Sequence, residues 1–196
     1  MRPLRRVEGS AVVLDRCDVD TDQIIPKQFL KRIERSGYGE FVFYDWMRDP
    51  DFELRRAGAE DAVVLIAGRN FGCGSSREHA AWALDDYGFR VVIAPSFGDI
   101  FRTNAIKTGL APIVLGEAEL DAVKGAVAER NELVVDLEVQ QVVHPSGLRI
   151  RFDFDAYERQ TLLEGLDDVA RTLQRAEEIA AFEATHPARF DLAAIR

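Results

Sequence analysis

Two short apolar runs, separated by a helical pattern, place the strongest limit on how this chain can fold. Ala62–Ala67 reads AVVLIA, and Arg90–Ala94 reads RVVIA with its one charge at the first position. Runs of this length with so few charges are typical of strands buried on both faces, as in a parallel sheet. Between them, Arg77–Tyr87 has the apolar spacing of a helix and ends at Gly88, a residue type common after helix ends. The sequence therefore predicts an α/β fold, with Ala62–Ala67 as a central strand.

Weaker patterns predict the elements on either side of these runs. Ser10–Leu14 and Pro112–Leu115 favour strands, and the polar stretch Asp15–Gln23 favours a loop. Four further segments have helical patterns, namely PKQFLKRI from Pro26, Asp51–Ala57, Asp99–Thr108 and Glu117–Arg130.

The last third of the chain changes from strand patterns to helical ones. Leu133–Val143 and Leu148–Phe154 alternate apolar and polar residues, and the turn-forming residues His144–Gly147 lie between them. This arrangement predicts a β-hairpin. From Ala156 the pattern becomes helical, and Gly165 is expected to separate two helices.

We expect one domain over residues 1–196, with residues 156–196 as a helical C-terminal extension, since 196 residues suffice for one sizeable core.

A net charge of −9 argues against nucleic acid as a general partner. No apolar run approaches the roughly 20 residues that span a bilayer. The first ten residues contain no apolar segment typical of a signal peptide. We therefore expect a cytoplasmic protein without membrane association.

The cysteine content limits the metal chemistry that this chain can perform alone. Its two cysteines, Cys17 and Cys73, are far apart in sequence and lie in no metal-binding spacing. Iron–sulfur clusters usually take several cysteine thiolates. If the protein works with a cluster, we expect much of the site to come from elsewhere, with no metal or cofactor held by this chain alone.

The stretch GRNFGCGSSREHAA, Gly68–Ala81, follows the central apolar run and contains many residues that could bind a ligand or take part in a reaction. Ser75 and Glu78 have the spacing of a capping box, which predicts Ser75 as the N-cap of the following helix. Unpaired N–H groups and the positive helix end at such a place favour an anion. Gly72 and Gly74 allow a ligand to approach the backbone closely, and the planar fork of Arg77 suits a carboxylate or phosphate.

Known loop templates fit this stretch poorly. A P-loop needs a lysine after Gly74, where Ser75 stands, and the dinucleotide fingerprint needs a third glycine, where Arg77 stands. The G-x-S-x-G turn of many hydrolases is absent as well. The residues alone leave open a phosphate-binding α/β module and a serine hydrolase that uses Ser75 with His79.

Five blocks of sequence, in order, resemble the family of 3-isopropylmalate dehydratase small subunits, the swivel-domain half of the aconitase family. They are DVDTDQIIPKQFLK near the start, FYDW at Phe43–Trp46, GRNFGCGSSREHA, YGFRVVIAPSFGDIFRTNAIKTGLAP at Tyr87–Pro112, and TLLEGLDDVARTL at Thr161–Leu173. The resemblance covers nearly the whole chain. It implies a swivelling β/β/α domain resembling the fourth domain of aconitase, with a separate large subunit that carries a [4Fe–4S] cluster.

The resemblance also implies an activity. Together, the two subunits of this family interconvert 2-isopropylmalate and 3-isopropylmalate by dehydration and rehydration, in leucine biosynthesis. The small subunit is expected to be inactive alone and to form a heterodimer or a larger complex that acts on a small dicarboxylate. Ser75 matches the family's catalytic serine, which works as an alkoxide base. Ser76 and Arg77 are expected to hold a substrate carboxylate.

Three more positions are implied as substrate-binding. Asp22 lies in a block that borders the active-site cleft, and Leu30 and Lys31 lie in the family's variable recognition segment. Leu30 is the apolar candidate for the isopropyl group, although a leucine facing the core explains it equally well. A cation at Lys31 would suit homoaconitate or citrate, so a homoaconitase-type small subunit remains the alternative.

Overall fold

The parallel sheet predicted from the apolar runs is present in the computed structural model, which describes residues 1–31, 36–56 and 58–186. In chain order the strands are β1 Arg6–Gly9, β2 Ala11–Leu14, β3 Val64–Ala67, β4 Val91–Ala94, β5 Ala111–Val114, β6 Leu133–Asp136, β7 Gln141–Val143 and β8 Arg149–Arg151. Strands β2, β3, β4 and β5 form the parallel sheet in that order, so β3 is central as predicted.

The second sheet is antiparallel and has the order β1–β6–β7–β8. The helices, in chain order, are α1 Thr21–Ile24, α2 Glu78–Tyr87, α3 Asp99–Thr108, α4 Glu117–Glu129, α5 Ala156–Glu164, α6 Asp168–Leu173 and α7 Ala176–Thr185. Helix α3 has the predicted bounds, and α2 and α4 differ from theirs by one residue. Short 3₁₀ turns occupy Lys27–Phe29, Gly39–Phe41, Trp46–Arg48 and Glu53–Arg55.

The apolar runs are uninterrupted because both faces of the parallel sheet are covered. In β3, Val64 and Ile66 belong to the apolar cluster shared with the antiparallel sheet, whereas Leu65 and Ala67 belong to the cluster shared with α2 and α3. Side chains alternate between the two faces of a strand, so one run supplies both cores. The result is the β/β/α layering that the family resemblance implied.

The alternating segment Leu133–Val143 is two strands rather than the one predicted. It reverses after β6, where the Asp136 side chain accepts hydrogen bonds from the N–H groups of Glu138 and Val139 at 2.9 and 3.1 Å. Asp residues often form such turns with the backbone two residues on. The predicted hairpin exists as β7 and β8, while β1, which the sequence did not reveal, pairs with β6.

Short-range signals in the first third of the chain led to three wrong predictions. The predicted loop Asp15–Gln23 ends in α1, because Asp20 and Gln23 form a capping box in which each side chain accepts a hydrogen bond from the other residue's N–H. The helix expected from Pro26 is only the 3₁₀ turn Lys27–Phe29 within the described residues, and its predicted end at residues 32–33 lies outside them. The helix expected at Asp51–Ala57 is likewise the 3₁₀ turn Glu53–Arg55, with Ala57 outside the described residues.

The chain divides into two compact units, Met1–Gly165 and Leu166–Arg196. Helix α5 closes the first unit at Gly165, whose φ of +67° suits glycine. The second unit contains α6 and α7, so the region after Ala156 holds three described helices rather than two. Neither α6 nor α7 buries a residue. Among the described residues, no helix combines the length and apolar character needed to cross a membrane.

Candidate active site

Loops that follow three neighbouring strands of the parallel sheet meet at its carboxyl edge. After β2 comes the segment that contains α1, after β3 comes Gly68–Arg77, and after β4 comes Pro95–Gly98. The carboxyl edge of such a sheet is where open α/β folds usually bind ligands. The sheet thus brings together two segments that are about 50 residues apart in sequence, as the Asp20–Cys73 bridge shows.

The α1 segment is bound to the glycine loop along its backbone. The N–H of Gly72 donates to the carbonyl of Val19 at 2.7 Å, and the N–H of Thr21 donates to the carbonyl of Cys73 at 2.9 Å. Asp20 and Cys73 form an isolated parallel bridge between these bonds. The loop is therefore paired like a short strand up to Cys73, and Ser75 lies directly beyond the paired part.

The loop after β4 supports the glycine loop from the other side. The N–H of Phe71 donates to the carbonyl of Ser96 at 3.0 Å, and the N–H of Gly98 donates to the carbonyl of Phe71 at 2.9 Å. The hydroxyl of Ser96 accepts a hydrogen bond from the N–H of Asn70 at 2.9 Å. Ser96 therefore supports the loop through both its carbonyl and its hydroxyl.

Two glycines of the loop have different roles. Gly72 has a φ of +74°, and a Cβ there would lie 2.2 Å from the ring of Phe101, so this glycine is required for packing inside the protein. Our expectation that Gly72 admits a ligand is therefore wrong. Gly74 has a φ of +92°, and the nearest atom to a Cβ there is 3.4 Å away. Of these two glycines, only Gly74 lies where the loop is open.

The predicted capping role of Ser75 is wrong. Helix α2 begins at Glu78, its N-cap is Arg77, and no side chain caps it. The N–H of Arg77 instead donates to the carbonyl of Ser75 at 2.8 Å, which turns the chain tightly before the helix begins. Because its hydroxyl is not used in a cap, the exposed Ser75 side chain is available for chemistry.

A row of unpaired backbone N–H groups surrounds Ser75. Within the described part of the chain, the N–H groups of Gly74, Ser75 and Ser76 donate to no protein acceptor, and neither do those of Glu78 and His79 in the first turn of α2. Such groups, beside the positive end of a helix, bind anions and favour negative charge on a nearby oxygen. The local structure is therefore suited to an anionic ligand.

Two of the expected substrate-binding residues contact each other. The guanidinium of Arg77 donates to the carboxylate of Asp22 across the cleft between α1 and α2. The Arg77 side chain is 17% exposed and that of Asp22 is 51% exposed, so the pair faces solvent on the carboxylate side. The hydrogen bond from Arg77 holds the pKa of Asp22 below its usual range, with a further contribution from the backbone N–H of Lys27.

We expect the pKa of Asp22 to rise toward the ordinary aspartate value in Arg77→Gln, because the variant lacks the charge and the strongest donor. In the wild type, a pKa below the ordinary value means that the pair contributes stability above the ordinary carboxyl range. That contribution is lost as the pH falls through the lowered pKa. Carboxyl ¹³C NMR titration measures this shift. In Arg69→Gln, which removes a neighbouring arginine of the same loop, the Asp22 pKa should remain low, and an unchanged Asp22 pKa in Arg77→Gln would contradict the pairing.

The two recognition residues lie at the end of the 3₁₀ turn Lys27–Phe29. Leu30 is half-buried and packs against the apolar cluster under α1 and α2, and Lys31 is exposed. Phe29, next to them, stacks on Phe41 with ring centroids 4.0 Å apart. No hydrogen bond or ion pair joins Leu30 or Lys31 to Ser75 or Arg77 among the described residues, so their part in substrate binding stays a prediction.

His79 is placed for packing. Its ring lies against those of Tyr38 and Trp82, at centroid distances of 5.3 and 4.7 Å. Burial lowers the pKa of His79, which favours the neutral ring. In the described structure His79 makes no hydrogen bond to Ser75, and the relay that a serine hydrolase needs is absent there.

Cys73 has the wrong environment for a cluster ligand. Its thiol donates to the carbonyl of Asp18 at 3.4 Å. Burial, and then the charges of Asp20 and Asp18, raise the pKa of this thiol, so the thiolate that iron binds is disfavoured. The described residues also contain no group of three or more His, Cys, Asp or Glu side chains arranged to hold a metal ion. The donor set of the described residues therefore does not fit an iron–sulfur cluster.

Comparisons with known proteins identify the family of this chain. Residues 1–118 match the family model described as the aconitase C-terminal domain, and residues 168–191 match the model for the C-terminal domain of the 3-isopropylmalate dehydratase small subunit. A 3-isopropylmalate dehydratase small subunit from Acidobacterium capsulatum is 49% identical over 98% of this chain and 95% of its own. One from Bacillus licheniformis is 52% identical over 93% of this chain and 96% of its own.

A solved structure agrees as well. The crystal structure of a 3-isopropylmalate dehydratase from Methanocaldococcus jannaschii superposes with a TM-score of 0.68 at 30% identity, covering 90% of this chain and 98% of that one. The agreement thus extends from the sequence of nearly the whole chain to its overall fold. The chain belongs to the family of 3-isopropylmalate dehydratase small subunits, whose swivel domain is that of the aconitases.

Proposed function

We propose that this chain is the small subunit of a hydro-lyase that interconverts 2-isopropylmalate and 3-isopropylmalate, in a heterodimer with a large subunit. The names of its relatives support both the activity and the partner. The observation that carries the proposal is the position of Ser75, exposed among unpaired backbone N–H groups and two residues from Arg77. A dicarboxylate substrate needs both an anion site and a base, and this loop offers both.

Ser75 acts as the base on this chain. In dehydration a proton leaves the carbon next to a carboxylate, where it is only weakly acidic, and the C–H electron pair forms the double bond. The hydroxyl leaves the neighbouring carbon with the C–O electron pair and ends as water, and the cluster of the large subunit would supply the Lewis acid for its departure. The Ser75 Oγ takes that proton and returns one in the rehydration step. A free serine hydroxyl is a poor base, and the nearby N–H groups, the helix end and Arg77 all favour its charged form.

Ser76 and Arg77 hold a substrate carboxylate. The unpaired N–H of Ser76 supplies a backbone donor, and the guanidinium supplies a planar pair of donors that matches a carboxylate. The substrate carboxylate takes the place that Asp22 occupies at Arg77 in the described structure. Asp22 thus keeps Arg77 oriented toward the cleft until the substrate arrives.

The chemistry of the residues suggests where the iron–sulfur cluster lies and which residue contacts the isopropyl group of the substrate. We place the [4Fe–4S] cluster on the large subunit, because such a cluster usually takes several cysteine thiolates and this chain has two widely separated cysteines, and because burial raises the pKa of the Cys73 thiol. Leu30, at the end of the 3₁₀ turn, is assigned to the isopropyl group, and the exposed Lys31 borders the same segment.

Reconstitution with a cluster-bearing large subunit tests this function. We expect the mixture to hydrate the unsaturated diacid that dehydration forms and to interconvert the two isopropylmalates, while either subunit alone is inactive. The ultraviolet absorbance of the unsaturated diacid follows the reaction. Homoaconitate is the comparison substrate, and a higher kcat/KM for homoaconitate would overturn the assignment of isopropylmalate.

A further inference from the structure

Thr21 is one of three polar side chains that are buried within the described residues, and it is 1% exposed. It occupies the first position of α1, directly after the capping residue Asp20. A buried hydroxyl needs a hydrogen-bond partner, because an unpaired one costs stability. The partner of Thr21 lies in the glycine loop.

Thr21 binds the glycine loop at two points. Its N–H donates to the carbonyl of Cys73 at 2.9 Å, and its hydroxyl donates to the carbonyl of Ser75 at 3.1 Å. These two carbonyls lie on either side of Gly74. One buried residue therefore fixes the Cys73–Gly74 peptide plane and the Ser75–Ser76 peptide plane.

Fixing these carbonyls also fixes the adjacent N–H groups. In a planar trans peptide, the C=O of one residue and the N–H of the next point in opposite directions. With the carbonyls of Cys73 and Ser75 directed at α1, the N–H groups of Gly74 and Ser76 point away from α1. Both lack a protein acceptor in the described structure, and they are adjacent to Ser75 on either side.

Other threonines show that this bond is unusual for its residue type. The hydroxyls of Thr103, Thr108 and Thr161 each donate to the carbonyl four residues earlier in their own helix, at 2.9–3.0 Å. Such local bonding is the ordinary behaviour of helical threonine. The hydroxyl of Thr21 instead reaches a carbonyl 54 positions away.

We propose that Thr21 is a positioning residue for Ser75: its N–H holds the Cys73–Gly74 peptide, and its buried hydroxyl holds the Ser75–Ser76 peptide. The N–H groups of Gly74 and Ser76 therefore face the charge that develops at the Ser75 hydroxyl and at the substrate. Gly74, at a φ of +92°, has no side chain to restrict the backbone between these two peptides. This inference rests on the proposed role of Ser75 as the base.

The test compares Thr21→Val and Thr21→Ser in the complex reconstituted with the large subunit. Valine keeps the shape without the hydroxyl, and serine keeps the hydroxyl without the methyl group. We expect Thr21→Val to lower kcat by about tenfold to a hundredfold with a much smaller change in KM, since a small misplacement of a reacting group costs this much. Thr21→Ser should restore most of kcat.

Thr161→Val is the matched control, because it removes a buried hydroxyl whose hydrogen bond to the carbonyl of Tyr157 lies within α5. It should leave kcat near the wild-type value. Equal kcat in Thr21→Val and wild type would overturn the inference, and so would equal loss in Thr21→Val and Thr21→Ser. If Thr21→Val does not assemble, Thr21→Cys replaces it in the comparison. Its kcat should then be lower than that of Thr21→Ser.

Failure of the proposed function gives a different result. If Ser75→Ala retains full activity, the base has been misassigned, whatever Thr21 does. If Ser75→Ala is inactive and Thr21→Val is fully active, the base stands and only the positioning role of Thr21 falls.

Discussion

Ser75→Ala is expected to lower kcat of the reconstituted complex by about 10²- to 10⁴-fold, the range typical of a lost general base. The alanine removes the oxygen that takes the substrate proton, while the N–H groups around it still bind the carboxylate. KM for 3-isopropylmalate should therefore change little. Steady-state kinetics with a defined ratio of subunits measures both quantities.

The structure gives reason to expect normal folding of this variant. Ser75 is exposed, and its fixed contacts are made by its carbonyl rather than its hydroxyl. Cys73→Ser is the matched control, since serine can make the same hydrogen bond to Asp18 and Cys73 has no proposed part in the reaction. Activity of Ser75→Ala equal to that of Cys73→Ser, in complexes of equal size, would rule out the proposed base.

Arg77→Ala is expected to lower kcat/KM by roughly 10²- to 10³-fold, mostly through KM. Removing one side of a desolvated, hydrogen-bonded charge pair costs about 2–5 kcal/mol, and each 1.36 kcal/mol corresponds to tenfold. The Arg77 side chain is 17% exposed, so its interaction with a carboxylate is only partly screened by solvent. The kcat/KM of Arg77→Lys should lie between those of the wild type and Arg77→Ala, because an ammonium keeps the charge but not the planar pair of donors.

Arg69→Ala separates this effect from a general loss of positive charge. Arg69 belongs to the same loop, but its side chain is 63% exposed and lies 3.7 Å from Asp18. Pairs of this kind contribute little, so KM should stay close to that of the wild type. A KM for Arg77→Ala that matches the Arg69→Ala value would place the substrate carboxylate elsewhere.

Regular elements were predictable where one local signal agreed with the tertiary environment. Ala62–Ala67 and Arg90–Ala94 are apolar on both faces, and the structure covers both faces of β3 and β4. Helix α3 was predicted with its bounds because Gly109, which adopts a φ of +100°, ends it. In these cases the residues that define an element are also those that pack it.

The predicted cap of α2 failed because contacts between distant segments overrode a local signal. Ser75 and Glu78 have capping-box spacing, yet no side chain caps α2, whereas Asp20 and Gln23 form a capping box at α1. The Ser75 carbonyl is bound by Thr21, and the tight turn at Arg77 begins the helix later than the spacing suggests. Sequence spacing does not include bonds between segments that are far apart in the chain.

The sequence by itself determined the α/β class, the central strand, the family, and the residues that carry charge at the glycine loop. The fold class, the central strand and the charged residues follow from side-chain chemistry and from spacing over a few residues, whereas the family follows from a resemblance along nearly the whole chain. Only the tertiary structure decided that Asp22 faces Arg77, that Gly72 is needed beside Phe101, and that Thr21 binds the Ser75 carbonyl. Each of these depends on how the loops after neighbouring parallel strands are brought together, beginning with the register between β2 and β3. That register is set by packing of both sheet faces, which no short stretch of sequence contains.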